Sequence, residues 1–319
     1  MRALVTGAAG FVGVHLLRLL RAQGHDACAM TLPQEKLPPD LSDVPRHPGN
    51  VTDPKTLERV LRDVAPDWIF HLAAISRPGD CRRDPALAWE VNFLGTWQIY
   101  RLAARKLPKA RVLFVGSAVE YARAAPAELP LTEDSPLAPE DVYAATKLAG
   151  DLVGAEFARS GRLAILRVRP FNHIGPGQSI DFVAPDFARQ IARIERGLQE
   201  PKIEVGNLAP VRDFTDVRDV VRAYVLVLER GEPGAVYNVC SGAGRSVREL
   251  LDGLLRLSTA KIEVVVSERR ERKDEPDIIF GSARAIQAVC GWTPEIPWEQ
   301  TLSDVLADWR SRCAGTAGT

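Results

Sequence analysis

The chain has 319 residues, 46% of them apolar, and its 41 Lys plus Arg are matched by 41 Asp plus Glu. That length suits one large domain or two unequal ones, and zero formal net charge argues against a nucleic-acid groove or an anionic membrane as the main partner. No apolar run approaches the ~18 residues of a membrane span, and apolar residues run along the whole chain, against extensive disorder.

Residues 2–6 read as a short buried strand, followed at once by a glycine-rich turn. Phe11, Leu16, Leu17, Leu19 and Leu20 then recur at helical spacing until Gly24 stops the pattern. A second strand is expected at 27–30. Residues 31–50, rich in Pro and polar residues, predict a loop with a short strand at its end. Asp53-Pro54 opens a helix to about residue 64. Strands follow at 68–72, 112–115 and 164–168, separated by long helices at 87–106 and 142–160. This alternation predicts a parallel sheet covered by helices on both faces.

After Pro170 the rhythm changes. Short strands at 203–205, 236–239 and 262–266 mix with helices at 182–197, 216–230, 246–257 and 299–310. A smaller lobe is therefore expected from 171–205 and 243–313. Residues 1–170 would form the larger lobe, with help from about 206–242. Residues 314–319 read as a frayed tail. The five cysteines are widely spaced, form no CxxC pair and imply neither a disulfide framework nor a zinc site. The opening residues follow a strand-and-turn grammar rather than that of a leader. Partly buried thiols in a reducing cytoplasm are the expectation.

The turn Thr6-Gly7-Ala8-Ala9-Gly10-Phe11-Val12-Gly13 joins the first strand to the first helix. Gly7 permits a tight turn, Gly10 lets backbone approach a pyrophosphate, and Gly13 lets helix pack on strand. The anion would sit at the helix N-terminus, on free amides and the positive dipole end. Its placement after a strand and before a helix marks a dinucleotide-binding Rossmann domain. At the end of the second strand, an acidic residue would favour NAD; Thr31 stands there instead. No Arg is apparent there, although Lys36 is near. NADP is favoured over NAD, and dual use stays open.

Tyr143 and Lys147 lie four residues apart near a helix start, hence on one face. An ammonium beside a phenol lowers its pKa toward a useful range. Ser117, just past the strand at 112–115, can donate to the same substrate oxygen. His71, at a strand end, is expected to be a packed, hydrogen-bonded residue rather than a catalyst. His173 is ambiguous and lies where it could line a sugar pocket.

The segments TGAAGFVG (6–13), HLAA (71–74), NFLGT (92–96), Ser117, Tyr143/Lys147 and RPFN (169–172) together resemble the extended short-chain dehydrogenase/reductase superfamily, in its NAD-dependent epimerase/dehydratase branch. The segments RPFNHIGPGQS (169–179), FVAPDFARQI (182–191), VGNLAPVRDFTDVRDVVRAY (205–224) and VYNVCSG (236–242) narrow the resemblance to the GDP-4-keto-6-deoxy-D-mannose reductases. The resemblance implies an enzyme that reduces a 4-keto GDP-sugar with NADP or NAD. GDP-D-rhamnose is the first expected product. A talose-forming reductase and a 4-epimerase with tightly bound NAD are the alternatives.

It further implies roles for single residues. Tyr143 would protonate the 4-keto oxygen, Lys147 would hold the nicotinamide ribose, and Ser117 would bond the reacting oxygen. Gly7, Gly10, Phe11, Val12, Gly13, Thr31, Asn50, Val51, Leu72, Ala73, Ala74, Asn92 and Pro170 would complete the cofactor site. Asn92 would also stabilise the active-site helix. Ser76, Asn172, Val183, Val205, Arg212, Arg272 and Glu275 would contact the substrate, with Val205 near guanine and the arginines on phosphate or ribose. The helices at 87–106 and 142–160 would pair two copies into a homodimer.

One departure bears on the reaction. Related 4,6-dehydratases carry a Glu two residues before a Tyr after the catalytic hydroxyl residue. Here Val119 stands at that place and Glu120 is displaced by one. On the next pleat position Glu120 would face away, which disfavours dehydration and favours reduction.

Overall fold

The computed structural model describes residues 1–267 and 278–315. β1 (Arg2–Thr6), α1 (Phe11–Ala22), β2 (Asp26–Thr31), β3 (Arg46–Pro48), α2 (Pro54–Val64) and β4 (Trp68–His71) open the chain. Next come α3 (Pro78–Arg83), α4 (Pro85–Ala88), α5 (Gly95–Lys106), β5 (Arg111–Val115), α6 (Val142–Arg159) and β6 (Ala164–Pro170). The seven-stranded sheet runs β10–β6–β5–β4–β1–β2–β3, where β10 is Val236–Val239, and every pairing is parallel. This is the doubly wound Rossmann arrangement. The order in which strands are added reverses between β1 and β4, so the crevice at their carboxyl ends is the natural ligand site.

Both faces of the sheet are covered, which is why its inner strands carry long apolar runs. On one side α1 packs with α8 (Val217–Arg230) over Val5, Leu113 and Val168. On the other, α2, α5 and α6 bury Leu4, Ile69, Val112 and Ile165.

The smaller lobe holds β7 (Asn172–Ile174), α7 (Val183–Glu195), β8 (Lys202–Val205), β9 (Val211–Asp216), β11 (Gly244–Ser246), α9 (Val247–Arg256), β12 (Glu263–Val266) and β13 (Ile278–Ile279). The long α11 (Trp298–Gly315) packs on α7 and α9. Strand β9 pairs with β7, β11 and β13, and β8 pairs with β12. Ile191, Ile203, Leu250, Leu254 and Leu306 are fully buried in this lobe's core.

Several segments differ from the sequence expectation. Strand β9 lies in the small sheet, although 206–242 is assigned to the large lobe from sequence. Conversely α10 (Arg284–Cys290) and Trp292 pack on α8 and β10, so they complete the large lobe's core. Trp292 is anchored there by donating Nε1–H to Asp219 O at 3.0 Å. Residues 314 and 315 continue α11 rather than fraying; Val305, Leu306 and Cys313 bury that helix, and Arg310 forks onto Glu195. The expected helix at 87–106 begins earlier and contains a π-helical turn at Trp89–Leu94. Pro78 and Pro85 start its two short leading pieces, where a missing N–H costs nothing.

Candidate active site

The glycine loop sits at the crevice. Gly7 has φ +65, and a Cβ there would lie 2.8 Å from Ala73 N, after β4. The loop is therefore held against the HLAA segment as only glycine allows. A Cβ on Gly13 would strike the Ala8 backbone. Gly10 caps α1 without any side-chain acceptor, and the first turn carries no acidic residue. Its amides and positive dipole end thus stay available to an anion, which fits a dinucleotide pyrophosphate. The Phe11 ring stacks on His173 at 6.1 Å, and His15 Nε2 lies 2.8 Å from Pro176 O. Dinucleotide loop and sugar-lobe loop are so tied together.

Beneath the loop, His71 bridges two threonines: Nδ1 to Thr6 Oγ1 and Nε2 to Thr96 Oγ1, each at 2.9 Å. Thr96 gives its own proton to Asn92 O, so Nε2 must be the protonated nitrogen. Burial pushes this imidazole down to about 3, so it is neutral and structural.

The adenosine end departs from expectation. Thr31 is buried, and its hydroxyl donates to Leu32 O at 3.0 Å. An arginine does stand there: Arg46 of β3, on which β2 pairs Ala29. Its Nη1 donates to Thr31 Oγ1 at 3.2 Å and to Glu35 O at 2.8 Å. A partner across a strand pair leaves no trace in local spacing. Asn50 lies exposed after β3, its Oδ1 accepting from Thr52 N at 3.1 Å, while Val51 is buried against Gly95.

Ser117, Tyr143 and Lys147 meet at the carboxyl ends of β5 and β6. Asp141 caps α6 by accepting Ala144 N–H at 2.8 Å, which sets the first helical turn under Tyr143. Burial holds the Tyr143 phenol well above its ordinary value, and the nearby Ser117 side chain pulls against that. Burial pushes the Lys147 ammonium down to about 8, opposed by Glu120 and Cys81. Lys147 Nζ lies 5.3 Å from the centre of the Phe114 ring. Asn92, in the π-helical turn, accepts Ile75 N–H at 2.7 Å and donates to Thr146 on α6 at 3.1 Å. It joins the loop after β4 to the helix carrying Tyr143 and Lys147.

Glu120 needs correction. It lies not on a pleat but in a 3₁₀ turn, Ala118–Glu120, that folds it beneath Ser117. It is fully buried, and its Oε1 accepts the Ser117 N–H at 2.8 Å.

On the substrate side, Ser76 lies exposed in the loop after β4, and Asn172 is exposed at the start of β7. Leu72 and Ala74 flank Ala73 in the same crevice wall, and Pro170 ends β6. Val183 opens α7 half-buried. Arg212 is half-buried on β9, its Nη1 donating to Val211 O. Val205 has no accessible surface and belongs to the small lobe's core, so its side chain offers nothing to a nucleobase. Arg272 and Glu275 lie outside the described residues. Gln178 went unnoticed in the sequence; its amide donates to His173 O, while the buried Oε1 lacks a partner among the described residues.

The NAD dependent epimerase/dehydratase family matches residues 3–240. The chain is 38% identical over 311 residues to GDP-6-deoxy-D-mannose reductase from Pseudomonas aeruginosa, covering 98% of each. The chain belongs to the NAD dependent epimerase/dehydratase family. It is also 29% identical to a UDP-glucose 4-epimerase from Corynebacterium glutamicum, over 92% of this chain and 91% of that one. Among solved structures, RMD from Pseudomonas aeruginosa complexed with NADPH superposes with a TM-score of 0.87 at 36% identity, covering 98% of this chain and 100% of that chain. The glycine loop, uncapped helix end and reversal of strand order are thus an NAD(P) site of an epimerase/dehydratase-family enzyme. No helix among the described residues is long and apolar enough to cross a membrane.

Proposed function

We propose that this chain reduces the 4-keto group of GDP-4-keto-6-deoxy-D-mannose with NAD(P)H to a GDP-6-deoxyhexose, GDP-D-rhamnose in the first instance. One observation carries the reading: Ser117 bears on the Tyr143 phenol, one helical turn from Lys147, in a chain 38% identical end to end to a GDP-6-deoxy-D-mannose reductase. Bound reduced nicotinamide supplies the hydride that goes to sugar C4. Tyr143 gives its proton to the oxygen as the carbonyl bond becomes C–O⁻, and solvent restores that proton. Ser117 donates a hydrogen bond to the same oxygen and stabilises its developing charge. Lys147 holds the cofactor ribose and keeps a positive charge near the phenol. Ser76, from the loop after β4, and Asn172, Val183 and Arg212, from the smaller lobe, would hold the sugar nucleotide. Glu120 is buried against Ser117 and Arg169, so it is not placed to remove water from C5 and C6; that favours reduction over dehydration.

NADPH is the favoured cofactor in this reading. Arg46 beside Thr31 provides the cation that a 2′-phosphate needs, and Lys36 is close in sequence. A homodimer through the helices at 87–106 and 142–160 and a cytoplasmic location belong to the same reading; all five cysteines are buried and none forms a disulfide. The test is NADPH and NADH oxidation with GDP-4-keto-6-deoxy-D-mannose, followed by NMR of the product at C4. Stoichiometric oxidation with a rhamno product is expected. A talo product would change the stereochemical assignment. An isomerised sugar nucleotide without net oxidation would overturn the reductase in favour of a 4-epimerase.

A further inference from the structure

Tyr143, Lys147 and Asp151 follow one another at four-residue intervals along α6, so they share one face. Below the reaction centre this face meets a buried cluster of charge. Asp151 Oδ2 accepts from Arg169 Nη2 at 2.5 Å, and its Oδ1 accepts from Arg167 Nη1 at 2.5 Å. Arg169 Nε also donates to Glu120 Oε2 at 3.1 Å. Glu120 and Asp151 are essentially without accessible surface, and Arg169 is 3% exposed. Burying two carboxylates and two guanidiniums costs desolvation that an apolar core of the same shape would avoid. Packing alone therefore does not account for the cluster.

Glu120 is the member adjoining the chemistry. It holds the Ser117 amide, and a Cβ on Gly116 would land on its carboxylate, so the turn is built around it. Its charge raises the proton affinity of both Tyr143 and Lys147. We propose that Glu120 is a positioning residue for the reduction: it fixes Ser117 through the backbone amide and sets a carboxylate behind the reacting groups, braced by Arg169 and Asp151. Its role rests on Ser117, Tyr143 and Lys147 being the reacting groups.

The charged and titratable groups bearing on Glu120 are Asp151, Tyr143 and Lys147 from α6, Arg169 from β6 and Tyr100 from α5. Burial and then Asp151 push the Glu120 carboxyl up, against the pull of Arg169. On the basic side of the rate profile it is ionised and opposes loss of the Lys147 proton, which leaves before that of Tyr143. Reduction needs the ammonium beside the phenol as well as the phenolic proton, so removing the Glu120 charge must move the basic limb to lower pH.

The experiment compares kcat across pH for the native enzyme, Glu120→Gln and Glu120→Ala, with KM for NADPH alongside. Glu120→Gln keeps an acceptor for the Ser117 amide; its basic limb should fall by about one pH unit with KM unchanged. Glu120→Ala should show the same shift and a further loss of about tenfold in kcat, since the amide loses its partner. A Glu120→Gln profile that coincides with the native one, or a raised KM with unchanged kcat, overturns the proposal. If Glu120→Gln and Glu120→Ala do not fold, Glu120→Asp keeps the charge but shortens the reach to the Ser117 amide and must lower kcat; an unchanged kcat overturns the proposal equally. Tyr143→Phe is assayed beside them. If it is inactive while the Glu120→Gln limb stays put, only the role of Glu120 falls. If it is active, the reaction centre itself is misplaced.

Discussion

Arg46 illustrates how a single residue acquires its role from a neighbour distant in sequence. Its guanidinium ties together Thr31 and the carbonyl of Glu35, at the end of β2, from the adjoining strand. A 2′-phosphate there would gain a charge-assisted contact. Arg46→Ala should raise the NADPH dissociation constant by about tenfold, the worth of roughly 1.5 kcal/mol for a hydrogen bond to a charged group. NADH binding should change little. Fluorescence titration with both cofactors checks this, and an equal loss for both would make Arg46 a loop brace only. Tyr143 and Lys147 were legible because helical geometry turns a four-residue interval into a shared face. Arg46 was not, since strand pairing sets its contact. Glu120 was misjudged for a related reason: an alternation argument needs a strand, and the chain turns at Ser117.

At the scale of elements, α6 owes its position to small residues. Gly150 faces Phe114, and a Cβ there would lie 2.8 Å from the ring. Gly154 packs near the Tyr100 hydroxyl and Ile165. The helix thus lies close on β5 and β6, bringing Tyr143 and Lys147 over the strand ends. Gly150→Ala gains about 1 kcal/mol of helix propensity and meets an overpacking cost of about 1–3 kcal/mol. A net destabilisation of about 1 kcal/mol is expected, seen as a lower urea midpoint, with a fall in kcat as α6 lifts. A raised midpoint would mean that the helix sits less tightly than described. The π-helical turn is the companion feature. It presents Asn92 to both Ile75 and Thr146, which a regular helix would not be required to do.

At the scale of the whole molecule, exposed large apolar side chains lie on neighbouring helices among the described residues. Leu87, Trp89, Leu94 and Trp97 are each about two-fifths exposed along α4, the π-helical turn and α5, and Leu152 of the neighbouring α6 is 55% exposed. Monomeric surfaces seldom leave large apolar side chains grouped in this way. A second copy of the same chain would cover them by twofold pairing of the two helices. Sedimentation should give a species of twice 35.0 kDa for the native protein. Trp97→Glu combined with Leu152→Glu should give the single-chain mass, with cofactor binding retained. A native protein that sediments as one chain would leave that surface to another purpose.

Local patterns carried the Rossmann sheet and the shared helix face of Tyr143 and Lys147. Glycines at a strand–helix junction, apolar strand runs and the Tyr143/Lys147 interval each act within a few residues, so their physics is already written in neighbouring positions. The smaller lobe was harder. Strand β9 carries Arg212, Asp213 and Asp216, and it counts as a strand only because β7, β11 and β13 pair with it and Ser241 and Gly242 donate to the buried Asp213. Trp292 joined the large lobe through an indole bond to Asp219, 73 residues away. Val205 changed from a ligand contact to core for the same reason. Burial, charge pairing and strand partners depend on chain segments that come together only on folding, and no spacing along the sequence encodes them.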